Sequence, residues 1–350
     1  MSVETSLKRP AKIEDVARAA GVSIMSVSRV MRGVEGVSPA KRAEIRRIAR
    51  SMGYSPSRVA GSLAAANSTL IGISIPTLFE AVFAEILEGM RDKFNKAGLQ
   101  TIVETTDYGE HYEEKWVERM IAWHPAGVIL SGVFHSRTTE ERLRNSGIPT
   151  LEIWDYTDTP IDMCIGVDHL AAGYEMGRHL VGLGYRRPVY VGVRLNKDPR
   201  AEDRVQGLSK AFSEVGSGIH ANSRLAETAS FEGGMLGTID VLDNNETTPD
   251  VICFLNDHMA FGGAMECERR GLSVSDDIGI VGFNGLNINK VLAKRITTSV
   301  TPRTLMGATA ARMMVSRING ARTREKILMP VEIFEGDTTR DVTKTADFNT

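Results

Sequence analysis

Residues 13–30, IEDVARAAGVSIMSVSRV, leave the start of this chain little freedom. Val16, Ala17, Ala20, Val22, Val27 and Val30 are spaced so that two short helices can bury them against each other, and Gly21 between them supplies the backbone freedom that a tight turn needs. Ser23 can cap the second helix. With its start fixed there, Ile24, Met25, Ser26, Ser28 and Arg29 fall on or near the free face, where a helix-turn-helix offers side chains to the DNA major groove.

Charge points to the same partner. Residues 1–60 hold 12 Lys or Arg against five acids, a net of +7; the whole chain is −2, so the remaining 290 residues carry −9. A basic head for a polyanion on an acidic body is the expectation. At 350 residues and 42% hydrophobic, the chain can bury a large core and divides into two or three domains. No run approaches the roughly 18 apolar residues of a membrane span, and the first ten residues lack the apolar core of a signal peptide, so a cytoplasmic protein is expected. Cys164, Cys253 and Cys267 are odd in number, far apart and set in apolar surroundings, which suits reduced packing residues. No metal or cofactor is expected, since the cysteines and histidines form no Cys-x-x-Cys or His-Glu-x-x-His.

Ser38-Pro39 starts a third helix, and Ala43, Ile45, Ile48, Ala49 and Met52 would close the small head. Residues 57–66 read either as a weak helix of small residues or as a plain linker. From Leu70 the pattern becomes apolar strands, at 69–76, 100–106, 126–132, 149–154, 163–168, 187–193, 250–255, 278–284, 297–302 and 329–335. Helices fall at about 79–97, 110–123, 138–146, 169–183, 201–216, 232–245 and 257–271. This alternation implies an α/β core of two doubly wound parallel-sheet subdomains, whose ligands bind at the carboxyl ends of the strands. The apolar stripe Val82, Phe83, Ile86, Leu87, Met90 and Phe94 is a candidate subunit face.

Asp15-Val16-Ala17, Ala20-Gly21-Val22-Ser23 and Val27-Ser28-Arg29-Val30 resemble the head motif of the lactose-repressor (LacI/GalR) family of bacterial transcription regulators, a likeness that covers residues 11–340. The resemblance implies a helix-turn-helix head at 11–56 and a hinge helix at 57–67, in which Arg58, Ala60 and Leu63 meet the minor groove. A periplasmic-binding-protein-like effector core at 68–340 would follow, with a flexible tail at 341–350. Its N-subdomain would be about 68–167 and 299–328 and its C-subdomain about 168–298 and 329–340, with crossings near Val167-Asp168, Thr297 to Ser299 and Leu328 to Pro330. It also implies a homodimer on pseudo-palindromic operator DNA, with no tetramerising coiled coil in the polar tail.

By the same resemblance the effector meets Arg204, Asn256, Asp257 and Asn284. Glu80, Phe83 and His135 are read either as pocket residues from the other subdomain or as packing and surface residues. Asn284 stands where the family usually has aspartate; the amide removes a charge that would repel an anion. Arg194, Lys197 and Arg200 add positive charge before Arg204, although a solvated loop is the other reading of those three. Together these residues favour a sugar acid over a neutral sugar. Val82 to Met90, Gly192 to Leu195, and Thr301-Pro302-Arg303 followed by Met306-Gly307 resemble the gluconate-operon repressors within the family, which points the same way. A phosphorylated or neutral sugar is the alternative, and more remotely a sugar-binding protein or sugar-acid enzyme without DNA function. Gly182-Leu183-Gly184 lacks a third glycine and ends a helix instead of opening one, and no Gly-x-Ser-x-Gly elbow is present, so an enzyme is not expected.

Overall fold

The computed structural model describes residues 9, 11–55, 68–78, 81–193, 198–219, 229–244, 248–321 and 325–341, and the chain divides into two compact units between Ser68 and Thr69. Arg58, Ala60 and Leu63, the whole hinge at 57–67, Glu80, Arg194, Lys197 and the tail after Asp341 lie outside the described residues.

The first unit holds α1 (Ile13–Ala20), α2 (Ile24–Arg32) and α3 (Pro39–Ser51). Asp15 accepts the Lys12 N–H at 2.9 Å and so closes the start of α1; chiefly that bond holds its carboxyl below the usual range. Gly21 ends α1 in the left-handed region at φ 60°, and Ser23 then caps α2 by accepting the Ser26 N–H at 3.2 Å. Val16, Ala17, Ala20, Val27, Val30, Ile45 and Ala49 form one buried cluster, with Ile48 against it. Ala43 and Met52 face outward instead, because α3 turns only one stripe towards so small a core.

The second unit holds two sheets. In chain order its strands are β1 (Leu70–Ile75), β2 (Gln100–Thr105), β3 (Gly127–Ser131), β4 (Thr150–Asp155), β5 (Met163–Val167), β6 (Pro188–Val191), β7 (Val251–Phe254), β8 (Gly279–Asn284), β9 (Thr297–Val300), β10 (Lys326–Leu328) and β11 (Glu332–Phe334). The helices are α4 (Ala81–Lys96), α5 (Glu110–Ala122), α6 (Arg137–Ser146), α7 (His169–Gly182), α8 (Pro199–Ser213), α9 (Phe231–Asn244), α10 (Asp257–Arg269) and α11 (Arg303–Ile318). The first sheet runs β10-β5-β4-β3-β1-β2, all parallel; the second runs β11-β9-β8-β7-β6, parallel but for β11. Near-continuous burial of β4, β5 and β8 fits strands covered by helices on both faces.

Three sequence expectations change. The strand expected at 329–335 shrinks to β11, with β10 just before it on the other sheet, because Pro330 between them has no N–H to continue a ladder and the chain changes sheets there. The helix–strand alternation gives no helix over 303–318, yet α11 forms there and packs closely on α4; its stripe of Met306, Ala310, Met313 and Met314 is hidden among small and charged residues. The α4 stripe is no free subunit face either, since Val82, Phe83, Ile86, Met90 and Phe94 are buried within the first-sheet core. The chain passes between sheets after Val167, over Thr301-Pro302, and over Met329 to Val331.

Candidate functional site

In the first unit, Ile24 and Met25 are 48% and 63% exposed on the opening turn of α2. Ser23, Ser26 and Ser28 stand beside them, and Arg29 is exposed with no carboxylate partner among the described residues. Apolar side chains in water on a capped helix, next to a free guanidinium, make a surface able to meet thymine methyls, guanine edges and phosphates.

In the second unit, the carboxyl ends of the two sheets face each other across a cleft. Its larger space, about 470 Å³, lies against Thr106, Tyr108, Ser131, Gly132 and Arg200. That is within the usual range for ligand pockets, roughly 300–1,000 Å³. A smaller space of about 30 Å³ continues from it, lined by Trp154, Arg200, Arg204, Leu255, Asn256 and Asn284. Arg204 comes from α8, is 7% exposed, and lies over the Phe283 ring at 4.4 Å. No carboxylate pairs with it among the described residues. Asn256 caps α10 by accepting the Met259 N–H at 2.9 Å and donates to Ala229 O. Asn284 closes β8 with φ 103°, a rare conformation for a residue with a side chain, and Arg303 donates to its main-chain oxygen. Its side-chain Oδ1 is buried with no hydrogen-bond partner among the described residues.

Asp257 does not line either space. Its oxygens accept the Thr298 hydroxyl at 2.6 Å and the Leu286 N–H, and burial pushes its carboxyl up to about 6 against those bonds. Phe83 lies in the core with its ring edge-on to Trp154 at 6.2 Å, also away from both walls. His135 is enclosed: Nδ1 is 2.6 Å from Glu113 and Nε2 is 3.1 Å from Gly132 O, with Glu152 at 3.6 Å. Both ring nitrogens face acceptors, so both carry protons. Burial opposes that charge, but Glu113 and Glu152 outweigh it and push the pKa up to about 10.

Sequence reasoning missed Asp155 and His169. Asp155 ends β4 with Arg200 Nε on both its oxygens, and His169 Nε2 stands 3.0 Å from its Oδ1. Burial would raise this carboxyl, yet Arg200 and His169 hold it down at about 2. The available signal was position alone, an acid at the carboxyl end of a parallel strand.

Residues 12–57 match the family described as bacterial regulatory proteins, lacI family, and residues 68–337 match periplasmic binding proteins and sugar binding domain of LacI family. The chain belongs to the LacI family. Among similar proteins, the HTH-type transcriptional regulator GntR of Escherichia coli (strain K12) is 33% identical over 321 residues, covering 92% of this chain and 96% of that one. The regulator IdnR of the same strain is 31% identical over 329 residues, covering 93% and 98%. The crystal structure of a LacI-family regulator from Silicibacter pomeroyi gives a TM-score of 0.88 at 33% identity, covering 95% of this chain and 100% of that one. The lac repressor dimer bound to operator gives 0.77 at 24% identity over 95% and 100%, a likeness of fold. This LacI-family chain is a DNA-binding transcriptional regulator and not an enzyme. Among its described residues no helix is long and apolar enough to cross a membrane.

Proposed function

We propose that this LacI-family regulator is a dimeric, cytoplasmic repressor of sugar-acid catabolic genes, released from a pseudo-palindromic operator by a sugar acid such as gluconate. One observation carries the ligand reading. Along one wall of the cleft a buried guanidinium, Arg204, stands with a buried amide oxygen, that of Asn284, and among the described residues the first has no carboxylate partner and the second no donor. An unpaired buried acceptor costs about 1–3 kcal/mol, which a ligand hydroxyl removes, and a guanidinium fork matches a carboxylate. A hydroxylated anion answers both. The similarity to the HTH-type transcriptional regulators GntR and IdnR supports the regulator part of this reading.

Ser23, Ile24, Met25, Ser26, Ser28 and Arg29 read the operator in this proposal, with Arg58, Ala60 and Leu63 as the hinge contribution. The domain limits follow the family pattern: head 11–56, hinge 57–67, effector core 68–340. The effector acts by binding one arrangement of the two sheets more tightly than another, which moves the start of β1 at Leu70 where the head is joined.

The test is a gel shift on promoter fragments with and without gluconate, beside calorimetry with gluconate, 6-phosphogluconate and glucose. Loss of the shifted band with gluconate, and gluconate binding well above glucose, is the expected result. Equal binding of glucose would overturn the acid assignment, and tighter binding of the phosphate ester would name the phosphorylated acid instead.

A further inference from the structure

Four side chains form a continuous line across the cleft: Arg200, Asp155, His169 and Arg204. Arg200 Nε donates to both Asp155 oxygens at 2.7 and 2.8 Å, and His169 bridges Asp155 Oδ1 and Arg204 Nη1 through its two ring nitrogens, each at 3.0 Å. A guanidinium can only donate. His169 Nδ1 must therefore present its lone pair, and the ring's one proton sits on Nε2, where the carboxylate accepts it. This is the opposite of His135, whose two nitrogens both meet acceptors. The groups facing the ring are Asp155 and Trp154 from β4, Arg200 and Arg204 from α8, and Phe283 from β8. Burial, joined by the two arginines, keeps the ring's pKa below its ordinary value, so it stays neutral near pH 7.

The backbone is shaped to bring Asp155 there. Trp154 has φ 83°, and a Cβ at Gly166, its partner on β5, would lie 2.1 Å from Asp155 O. Asp155 belongs to the first sheet, whereas His169, Arg200 and Arg204 come from helices packed on the second.

We infer that His169 is a positioning residue: its Asp155-fixed tautomer holds one nitrogen of Arg204 and so aims the remaining guanidinium donors at an anionic ligand, an arrangement that exists only while the two sheets are together. The inference deepens the sugar-acid reading and rests on it.

Two variants separate positioning from packing. His169→Phe keeps a ring between Trp154 and Phe283 but has no acceptor, while His169→Asn places its Oδ1 where Nδ1 stood. In calorimetry with gluconate, His169→Phe should bind at least tenfold more weakly than wild type, and His169→Asn should regain most of that loss. Gluconate binding by His169→Phe within threefold of wild type, or an Asn variant no better than Phe, would overturn the inference. Nitrogen-15 NMR of histidine-labelled protein at pH 7 gives a second reading. A neutral His169 with its proton on Nε2 is expected, and a proton on Nδ1 or on both nitrogens overturns it. If wild-type protein binds no gluconate, the sugar-acid reading fails, and the tautomer alone decides this one.

Discussion

Arg200 on α8 grips Asp155 at the end of β4 through a single nitrogen, 2.7 and 2.8 Å from its two oxygens, so one ion pair ties an element of the second sheet to a strand of the first. Both side chains are largely buried, at 12% and 6% exposure. Arg200→Met leaves the carboxylate buried without its countercharge, held only by the His169 N–H, a change that costs about 3–5 kcal/mol. The expected result is lowered urea midpoints for the single variants Arg200→Met and Asp155→Asn, with the double variant Arg200→Met, Asp155→Asn closer to wild type than their sum. Strict additivity of the two single changes would show that the pair is not coupled.

Arg204→Ala should cost about 2–5 kcal/mol of gluconate affinity, as truncating one partner of a buried charged pair does. Arg204→Lys should recover little, since an ammonium cannot reproduce the fork, and Asn284→Asp should weaken acid binding by adding a like charge. Calorimetry on the three variants checks this; undiminished binding by Arg204→Ala removes the residue from the site.

Met25→Gln replaces an exposed apolar side chain at the start of α2 with one able to hydrogen-bond a base edge. Operator preference should shift more than non-specific affinity does. A panel of half-site variants in a gel shift measures it, and equal losses on every sequence would argue against base reading by this residue.

His135 gives the core a pH dependence of known sign. Its folded pKa of about 10 stands above the unfolded value near 6.5, so its stabilisation is fully present below pH 6.5 and is lost as pH rises through 10. The full loss is on the order of 5 kcal/mol. Urea midpoints at pH 6.5, 8 and 9.5 should fall steadily, and the slope should flatten in His135→Phe.

Gly89 on α4 lies so close to α11 that a Cβ there would meet Thr304 O at 2.2 Å. Gly89→Ala must push the two helices apart, at about 1–3 kcal/mol. Thermal unfolding would register the drop; an unchanged midpoint would mean that the helix pair slides freely.

The head was legible in the sequence because everything that builds it is local. The Gly21 turn, the Ser23 cap and the exposed Ile24 and Met25 follow from spacing within twenty residues, where helix periodicity and capping act. The parallel α/β class was legible for the same reason, from apolar runs alternating with amphipathic ones. Pro330 was also in plain view, but which sheet each side of it joins depends on pairing partners far from it in the chain, β5 about 160 residues before β10 and β9 about thirty before β11. For α11, burial comes from packing Gly307 against the Ile86 carbonyl, not from a strong stripe of its own. The cleft shows the limit most sharply. Asp155, His169, Arg200 and Arg204 span fifty positions, and apart from the i,i+4 spacing of the two arginines nothing in the pattern joins them; only the folded sheets link Arg200 to Asp155, Asp155 to His169 and His169 to Arg204 at 3.0 Å or less. Whether a buried histidine is charged is likewise invisible in sequence, since His135 and His169 differ only in what the tertiary structure sets against their two nitrogens.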